Sequence, residues 1–483
     1  MNKLVCMIII CVVIVVALMF FKTVKDINSM GKYNFTLPDN IELPSNEALE
    51  HFSNGLKIQT ISNPDYSATD FSKFEEFIRY IQRTYPLIFE KCEVNYVNNY
   101  NIVIKYKGVN PELKPNLLSA HYDVVGVKDE TKWEYPPFSG FFNDEKVVSR
   151  GTIDDKGSVF AILEATNELL KKDFQPQADL YIAFSQAEET GSIEGAPKTI
   201  EYFKNNNISF NTALDEGGRI VNKNGKIYAF VGIAEKGRLL TKVTVYGQGS
   251  HASSPANNLA TDKLAKLILA FNKNKIKPFM SKEISEYYNQ TYASYGFLTQ
   301  FLLSNKTILS PFLYNQLSKT QEDNARIHST TAITVIEASV IRNAVSKDAS
   351  ILIDTRILPG QTTEDIKTHI SNIIKKTLPD EQVDVEYLSY MEPCKSSNIK
   401  SDEYKQLIKN IQKLYPNITV APYLTLGGTD AREYAEISDN TYRFLPCVLT
   451  PEEAALMHSD NEFITIQNWG RMIAFYKEFI LDR

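Results

Sequence analysis

Cysteine, surplus positive charge and histidine are all scarce in this chain, and each scarcity excludes something. Only five of the 483 residues are cysteine. Cys6 and Cys11 fall inside an apolar N-terminal run, leaving Cys92, Cys394 and Cys447, an odd number at wide spacing. Neither a disulfide framework nor a thiolate metal site is built that way. The formal net charge of -6 provides no basic footprint for a nucleic-acid partner. Internal repeats and low-complexity tracts are absent too. What remains is ordinary globular material, 43% hydrophobic and 23% charged, long enough for two or three domains with a full core.

One segment is not ordinary. Leu4 to Phe21 is an uncharged, almost wholly apolar stretch of 18 residues, flanked by Lys3 and by Lys22 and Lys25. As a helix rising about 1.5 Å per residue it spans about 27 Å, enough for a bilayer core. It is longer than the apolar region of a cleaved signal peptide, and no small-x-small cleavage site follows before Lys32. Residues 1–22 are therefore expected to be a membrane anchor, with 23–45 a polar tether and the body extracytoplasmic or lumenal. Secretion after cleavage is the alternative. Positive charge on both flanks leaves the orientation open. Sequon-like tripeptides at Asn34, Asn289, Asn305 and Asn417 decide nothing in an Asn-rich chain.

Beyond the tether the hydrophobic spacing predicts a helix over Asp70 to Tyr85, with Phe74, Phe77, Ile78 and Ile81 on one face. Strands follow at Asn101 to Tyr106 and Leu117 to Val125, a helix at Lys156 to Lys171 and a strand at Ala178 to Ser185. A helix near Ala196 to Phe203 and a strand at Thr212 to Asp215 complete the series. Such alternation argues for an α/β fold, a mostly parallel sheet with helices on both faces. From about Gly237 the texture changes. Strands are expected at Leu239 to Tyr246, Ala332 to Ala338, Ala349 to Ile357 and Val383 to Leu388, and helices at Asn258 to Phe271 and Thr363 to Leu378. That is a two-layer α+β unit at 237–392, inserted between the two parts of a first domain at 46–236 and 393–483. Within it, Lys277 to Asn324 is helical and unusually rich in Tyr, Phe and Leu.

Two of the six histidines sit in phrases that read as halves of one metal site. The first is Leu117-Leu118-Ser119-Ala120-His121-Tyr122-Asp123-Val124-Val125, the last His458-Ser459-Asp460-Asn461-Glu462-Phe463. Between them lie Gly151-Thr152-Ile153-Asp154-Asp155-Lys156-Gly157, Ser185-Gln186-Ala187-Glu188-Glu189-Thr190-Gly191 and Leu214-Asp215-Glu216-Gly217-Gly218. Most put a His or a carboxylate where an apolar run ends, and ligands of α/β sheets gather beyond the carboxyl ends of strands. Imidazole and carboxylate donors without thiolate suit zinc or a similar divalent ion. Acids at strand ends are costly to bury unless a cation neutralises them. Singly each phrase has a plain explanation: a core His-Asp pair, a solvated Glu-Glu helix start, a helix N-cap at Asp154-Asp155, a turn at Asp-Glu-Gly-Gly. Together, in this order, they would need five coincidences.

The phrases Ser119 to Val125, Arg150 to Gly157, Glu188-Glu189-Thr190-Gly191-Ser192, Gly427-Gly428-Thr429-Asp430-Ala431-Arg432 and His458 to Glu462 carry a resemblance. Over roughly residues 50 to 483 the chain resembles the di-zinc metallohydrolases that include carboxypeptidase S, glutamate carboxypeptidase, aminoacylase and succinyl-diaminopimelate desuccinylase. The carboxypeptidase S-like branch is nearest. The resemblance implies one zinc on His121, Asp154 and Asp215 and a second on Asp154, Glu189 and His458, with Asp154 bridging. Cobalt or manganese could stand in for zinc. Asp123, two residues after His121 on an extended strand, would orient that imidazole, and Glu188 would be the general base. In the inserted unit, Gly247 to Pro255 resembles the phrase whose histidine, here His251, stabilises the oxyanion. Asn343 and Arg356 would hold the substrate carboxylate, Arg by its two-pronged fork, with Gly427 and Gly428 also at the substrate. Ser346 departs from the proline that many relatives carry after Asn-x-Val, a departure that bears on Asn343.

The implied reaction is hydrolysis of the amide of an N-acyl amino acid or short peptide beside a free carboxylate. A non-catalytic binding ectodomain on the same fold is the rival, since fold does not grant activity. A retired enzyme tends to lose ligands or base, and here none is lost. An aminopeptidase would need an acidic contact for the substrate amine, and none is assignable. The inserted unit is also the expected homodimer contact. Its aromatic segment, Tyr287 to Tyr314, is expected either to form that unit's own core or to line an apolar channel for a long acyl chain.

Overall fold

The computed structural model describes residues 3–29, 35–38 and 42–483. The chain divides into two compact units. The larger comprises Lys32–Ile233, Ser397–Tyr423 and Thr429–Arg483; the smaller comprises Met1–Gly31, Ala234–Ser396 and Leu424–Gly428. The insertion expected at 237–392 lies inside the second of those stretches.

At the heart of the larger unit four neighbouring strands run parallel: Leu180–Ser185, Asn116–His121, Phe210–Asp215 and Ser438–Arg443. Antiparallel strands extend the sheet on both sides, Glu93–Val97 and Asn101–Tyr106 at one edge, Lys226–Glu235 and Ile220–Lys223 toward the other. The central strands are buried on both faces, which is why they read as continuous apolar runs. Alternate side chains feed two cores. Ile102, Ile104, Leu118 and Ile182 face one that includes the helices Phe71–Thr84, Lys156–Lys171 and Ile466–Leu481. Val103, Leu117, Tyr181 and Ala183 face the other, with the helix Ala196–Asn205. The fold is thus a mixed α/β sheet covered on both faces.

The expected strand over Leu117 to Val125 ends at His121. Past that point Tyr122 N–H bonds to Ser185 O and Val124 N–H to Thr60 O, so the chain leaves the sheet where the site begins.

The smaller unit holds a four-stranded antiparallel sheet ordered Thr330–Glu337, Asp348–Ile357, Gly237–Tyr246 and Val383–Met391. Buried and half-buried residues alternate along Gly237–Tyr246, and the buried set packs with the helices Ala260–Lys273 and Thr363–Thr377. Four helices occupy the aromatic segment: Lys282–Gln290, Phe297–Ser304, Lys306–Leu317 and Gln321–Ile327.

The N-terminal helix runs Lys3–Ser29, past the expected anchor end at 22, because nothing from Thr23 to Ser29 is a proline or glycine that would stop it. The first part of the expected tether is therefore helical. Residues 30–34 and 39–41 of that tether lie outside the described residues. This helix, among the described residues, is the one long and apolar enough to cross a membrane.

Candidate metal centre

All the acids and histidines implied as metal ligands belong to the larger unit. Three adjacent parallel strands end at His121, Ser185 and Asp215, with His121 in register opposite Ser185. Adjacent strands lie about 4.8 Å apart, so the side chains just past their ends converge. Asp154 arrives from the turn before the helix Lys156–Lys171, and His458 from the turn before the strand Phe463–Thr465.

Asp154 stands in the middle. Its Oδ1 lies 3.0 Å from His121 Nε2 and its Oδ2 lies 2.9 Å from His458 Nε2. Glu189 Oε2 is 3.0 Å from the same His458 nitrogen. On the other side Glu216 Oε1 lies 3.6 Å and Glu188 Oε2 4.0 Å from His121 Nε2. Two groups result whose donor atoms lie close enough to share an ion: His121, Asp154 and Glu216, and Asp154, Glu189 and His458. Asp215, buried at the end of its strand, is not in the first group; its neighbour Glu216 is. The motif reading did not single out Glu216, because Asp-Glu offers two adjacent carboxylates and residue order alone does not say which lies nearer His121.

The turn at Glu216 explains the two glycines after it. Gly217 sits at φ +118°, and a Cβ on Gly218 would meet Phe230 O at 2.2 Å and Arg443 O at 2.4 Å. Neither position accepts a side chain without backbone movement.

The electrostatics are those of crowded acids around two imidazoles. Burial, and then the Asp154 charge, push Glu216 up to about 7. Burial also raises Glu188 well above the carboxylate range, and raises Glu189. For Asp154 burial acts the same way, but its bonds to His121 and His458 outweigh it and hold the carboxyl low. His458 is lifted to about 10 by Asp154 and then Glu189. His121 rises although burial opposes it, because Asp123, Asp154 and Glu216 surround it. Glu189 Oε1 is buried without a hydrogen-bond partner among the described residues. Repelling carboxylates, histidines facing them and an unpartnered oxygen are what a divalent cation would relieve, so the donor set fits a metal.

The surrounding contacts bear on Asp123 and add two residues that the motifs did not single out, Arg150 and Glu462. Asp123 meets His121 Nδ1 through its backbone oxygen at 3.1 Å and its carboxylate at 3.4 Å. The same carboxylate accepts the N–H groups of Glu188 and Glu189, each at 3.2 Å, and the Ser62 hydroxyl at 2.6 Å. It therefore fixes the imidazole and the Glu188-Glu189 turn together. Glu462, fully buried, accepts Arg150 Nη1 at 2.6 Å and the N–H groups of Gly151, Ile153 and Asp154 at 3.1, 2.8 and 3.3 Å. It ties the His458 phrase to the loop carrying Asp154. Both Arg150 and Glu462 stood inside the motif phrases, but nothing in one dimension pairs them. The plain explanations weaken in turn: the Asp155 side chain makes no cap bond, and the Glu189 side chain is 3% exposed, so neither is a solvated helix start.

His251, Asn343, Arg356, Gly427 and Gly428 belong to the smaller unit. Exposed His251 sits in a two-residue ladder opposite Ala344, its Nδ1 2.7 Å from Ser253 Oγ, and Ala252 N–H bonds to Asn343 O. The ladder thus sets His251 and Asn343 side by side. Arg356 Nε donates to Asp354 Oδ1 at 2.9 Å, while Asp354 Oδ2 takes two bonds from Arg238. The terminal nitrogens of Arg356 carry no protein hydrogen bond among the described residues. Gly427 stands exposed, with open space where a Cβ would be, and Gly428 beside it is exposed too.

Comparison with known proteins identifies the family. The family model of Peptidase family M20/M25/M40 matches residues 117–482. The chain is 32% identical over 482 residues to "Probable carboxypeptidase S-like 2" of Dictyostelium discoideum, covering 96% of this chain and 91% of that one. It is 29% identical to the human "N-fatty-acyl-amino acid synthase/hydrolase PM20D1", covering 84% of this chain and 82% of that one. In fold it is similar to the M20 family metallo-carboxypeptidase Sso-CP2 from Sulfolobus solfataricus, with TM-score 0.65 and 18% identity over 90% of this chain and 99% of that one. This chain therefore belongs to the peptidase family M20/M25/M40 and is a metal-dependent hydrolase.

Proposed function

We propose that the larger unit holds two divalent cations, zinc being the ion its donors suit, and cleaves the amide of N-acyl amino acids or short peptides beside a free carboxylate. One observation carries this reading: Asp154 turns one oxygen to each of two histidines, and each histidine has its own group of three donors. His121 and Asp154 would hold one ion, with Asp215 or Glu216 as third donor. Asp154, Glu189 and His458 would hold the other. Bound there, the cations would acidify a shared water and polarise the substrate carbonyl.

The rest is the work of side chains. Glu188, beside Glu189 and with its Oε2 4.0 Å from His121 Nε2, would take a proton from water and return it to the leaving amine. Asp123 keeps His121 and Glu188 in register. In the smaller unit His251 would stabilise the oxyanion. Arg356, its guanidinium oriented by Asp354, would present its terminal nitrogens to the substrate carboxylate, with Asn343, Gly427 and Gly428 beside it. The name of the human relative favours a long acyl chain on the substrate. The aromatic segment supplies less support, since Tyr287, Tyr288 and Tyr292 are buried as that unit's own core. The N-terminal helix is read as a membrane anchor, and the exposed edge strand Thr330–Glu337 supports pairing of two copies.

The test is metal analysis of the purified full chain, then hydrolysis of N-acyl amino acids from acetyl to dodecanoyl with and without chelator. Two metals per chain and chelator-sensitive turnover are expected. Each buried methylene contributes about 0.8 kcal/mol, so four more should raise kcat/KM by roughly 10². One metal per fully active chain overturns the two-ion reading, and a flat chain-length profile removes the long acyl group.

A further inference from the structure

The anchor helix is not a free appendage. Its residues 5–18 are largely exposed and almost all apolar, but Met19 is 8% exposed and Thr23 fully buried. What covers them is the aromatic segment of the same unit. Phe20 packs on Phe297 with ring centroids 5.7 Å apart. Asn305 Nδ2 donates to Met19 O at 3.4 Å and to Thr23 Oγ1 at 3.3 Å. The helices Phe297–Ser304 and Lys306–Leu317 thus grip the anchor at the polar end of its apolar run, beside exposed Lys22 and Lys25.

Those two helices turn large apolar side chains outward. Phe297 and Leu298 are 50% and 59% exposed, Ile308 and Phe312 both 66%. Phe297 touches Phe20, and Ile308 lies one turn beyond Asn305, its N–H bonded to Asn305 O. Phe312 follows across a kink at Leu309, next to Pro311. If the apolar run crosses a bilayer, the level of Phe20 is where hydrocarbon gives way to headgroups; Phe297 packs at that level, and the segment that carries the other three is tied to it through Asn305. Apolar residues at such a boundary bury about 5–10 Å into it.

We infer that Phe297, Leu298, Ile308 and Phe312 form a membrane-docking surface, seated in the bilayer interface around the emerging anchor. The occupant is lipid, because the patch adjoins a helix whose exposed length and apolar composition match a bilayer core. The inference rests on the anchor reading. Its consequence is that the smaller unit, which carries His251 and Arg356, is held at the lipid surface on a second footing besides the anchor.

Tryptophan depth probes test it. Native Trp133 and Trp469 are buried in the larger unit and supply a constant background. Full-length Phe312→Trp, Ile308→Trp and, as control, Leu269→Trp would be reconstituted in phosphatidylcholine vesicles carrying lipids brominated near the headgroup or near the terminal methyl. Leu269 is 70% exposed on the helix Ala260–Lys273 of the same unit. The docking surface requires the probes at 312 and 308 to lose fluorescence to the shallow bromines more than to the deep ones, with the probe at 269 losing none. Alkaline carbonate extraction of the same vesicles reads the anchor separately. Chains that resist extraction while 308 and 312 behave like 269 overturn the docking surface and leave the anchor standing. Chains that extract freely overturn both.

Discussion

In the larger unit the candidate site is largely enclosed: His121, Asp123, Asp154 and Asp215 are buried and the Glu189 side chain nearly so, while His458 closes the group from an exposed turn. In the smaller unit His251, Asn343, Gly427 and Gly428 are exposed, and Arg356 is held by a single carboxylate contact. His121 and Asp215 sit at the ends of strands buried on both faces, whereas His251 and Asn343 sit on or beside a two-residue ladder and Gly427 and Gly428 in a loop, with Arg356 on a longer strand. On the proposed function, the contrast follows from what each set would hold. Small cations need donors fixed within tenths of an ångström, whereas a substrate must enter, be gripped by its charge and leave.

That contrast can be broken by substitution. Asp154→Ala should have the largest effect, loss of both metals and of turnover, because one carboxylate serves both groups; metal analysis and a hydrolysis assay read it. Full metal content with activity intact would end the bridging role. Glu188→Gln should keep metal and fold while kcat falls by a factor on the order of 10² to 10⁴. A near-normal rate at correct metal content removes Glu188 as base. Glu462→Ala should leave Arg150 as an uncompensated buried charge and cost about 3–5 kcal/mol of stability, measured by denaturant unfolding. A loss of a few tenths would mean that the loop carrying Asp154 holds itself.

Arg356→Lys should be mildest. An ammonium cannot reproduce the fork, so KM for carboxylate substrates should rise about tenfold, the size of one charge-assisted hydrogen bond. An amidated substrate removes the same partner, so the two losses should not add. Additive losses would show that Arg356 binds something else. A collapse as deep as that of Asp154→Ala would erase the distinction between the two units.

Much of this was legible in one dimension. Periodicity placed the helix Lys156–Lys171 to the residue and the central strands to within a few, because strands buried on both faces and a helix packed along most of its surface leave strong apolar patterns. Where the pattern was blind, the folded backbone decided. Nothing in Asp215-Glu216 says which carboxylate approaches His121; both are drawn in, Asp215 buried at its strand end and Glu216 Oε1 3.6 Å from His121 Nε2. Nothing ends the apolar N-terminal helix at 22, since helical propensity runs on to Ser29.

The sequence by itself determined the chemistry: which donors exist, that no thiolate joins them, that the chain belongs among metal-dependent hydrolases, and that an apolar helix begins it. Those depend on residue type and order, which a chain displays without folding. Only the tertiary structure decided that Asp154 divides its two oxygens between His121 and His458, that Glu462 reaches back across 308 positions to the Asp154 N–H, and that Asn305 meets Thr23. Each is a hydrogen bond or close pairing between residues far apart in the chain. Such contacts need tenths of an ångström, and folding alone brings those positions together.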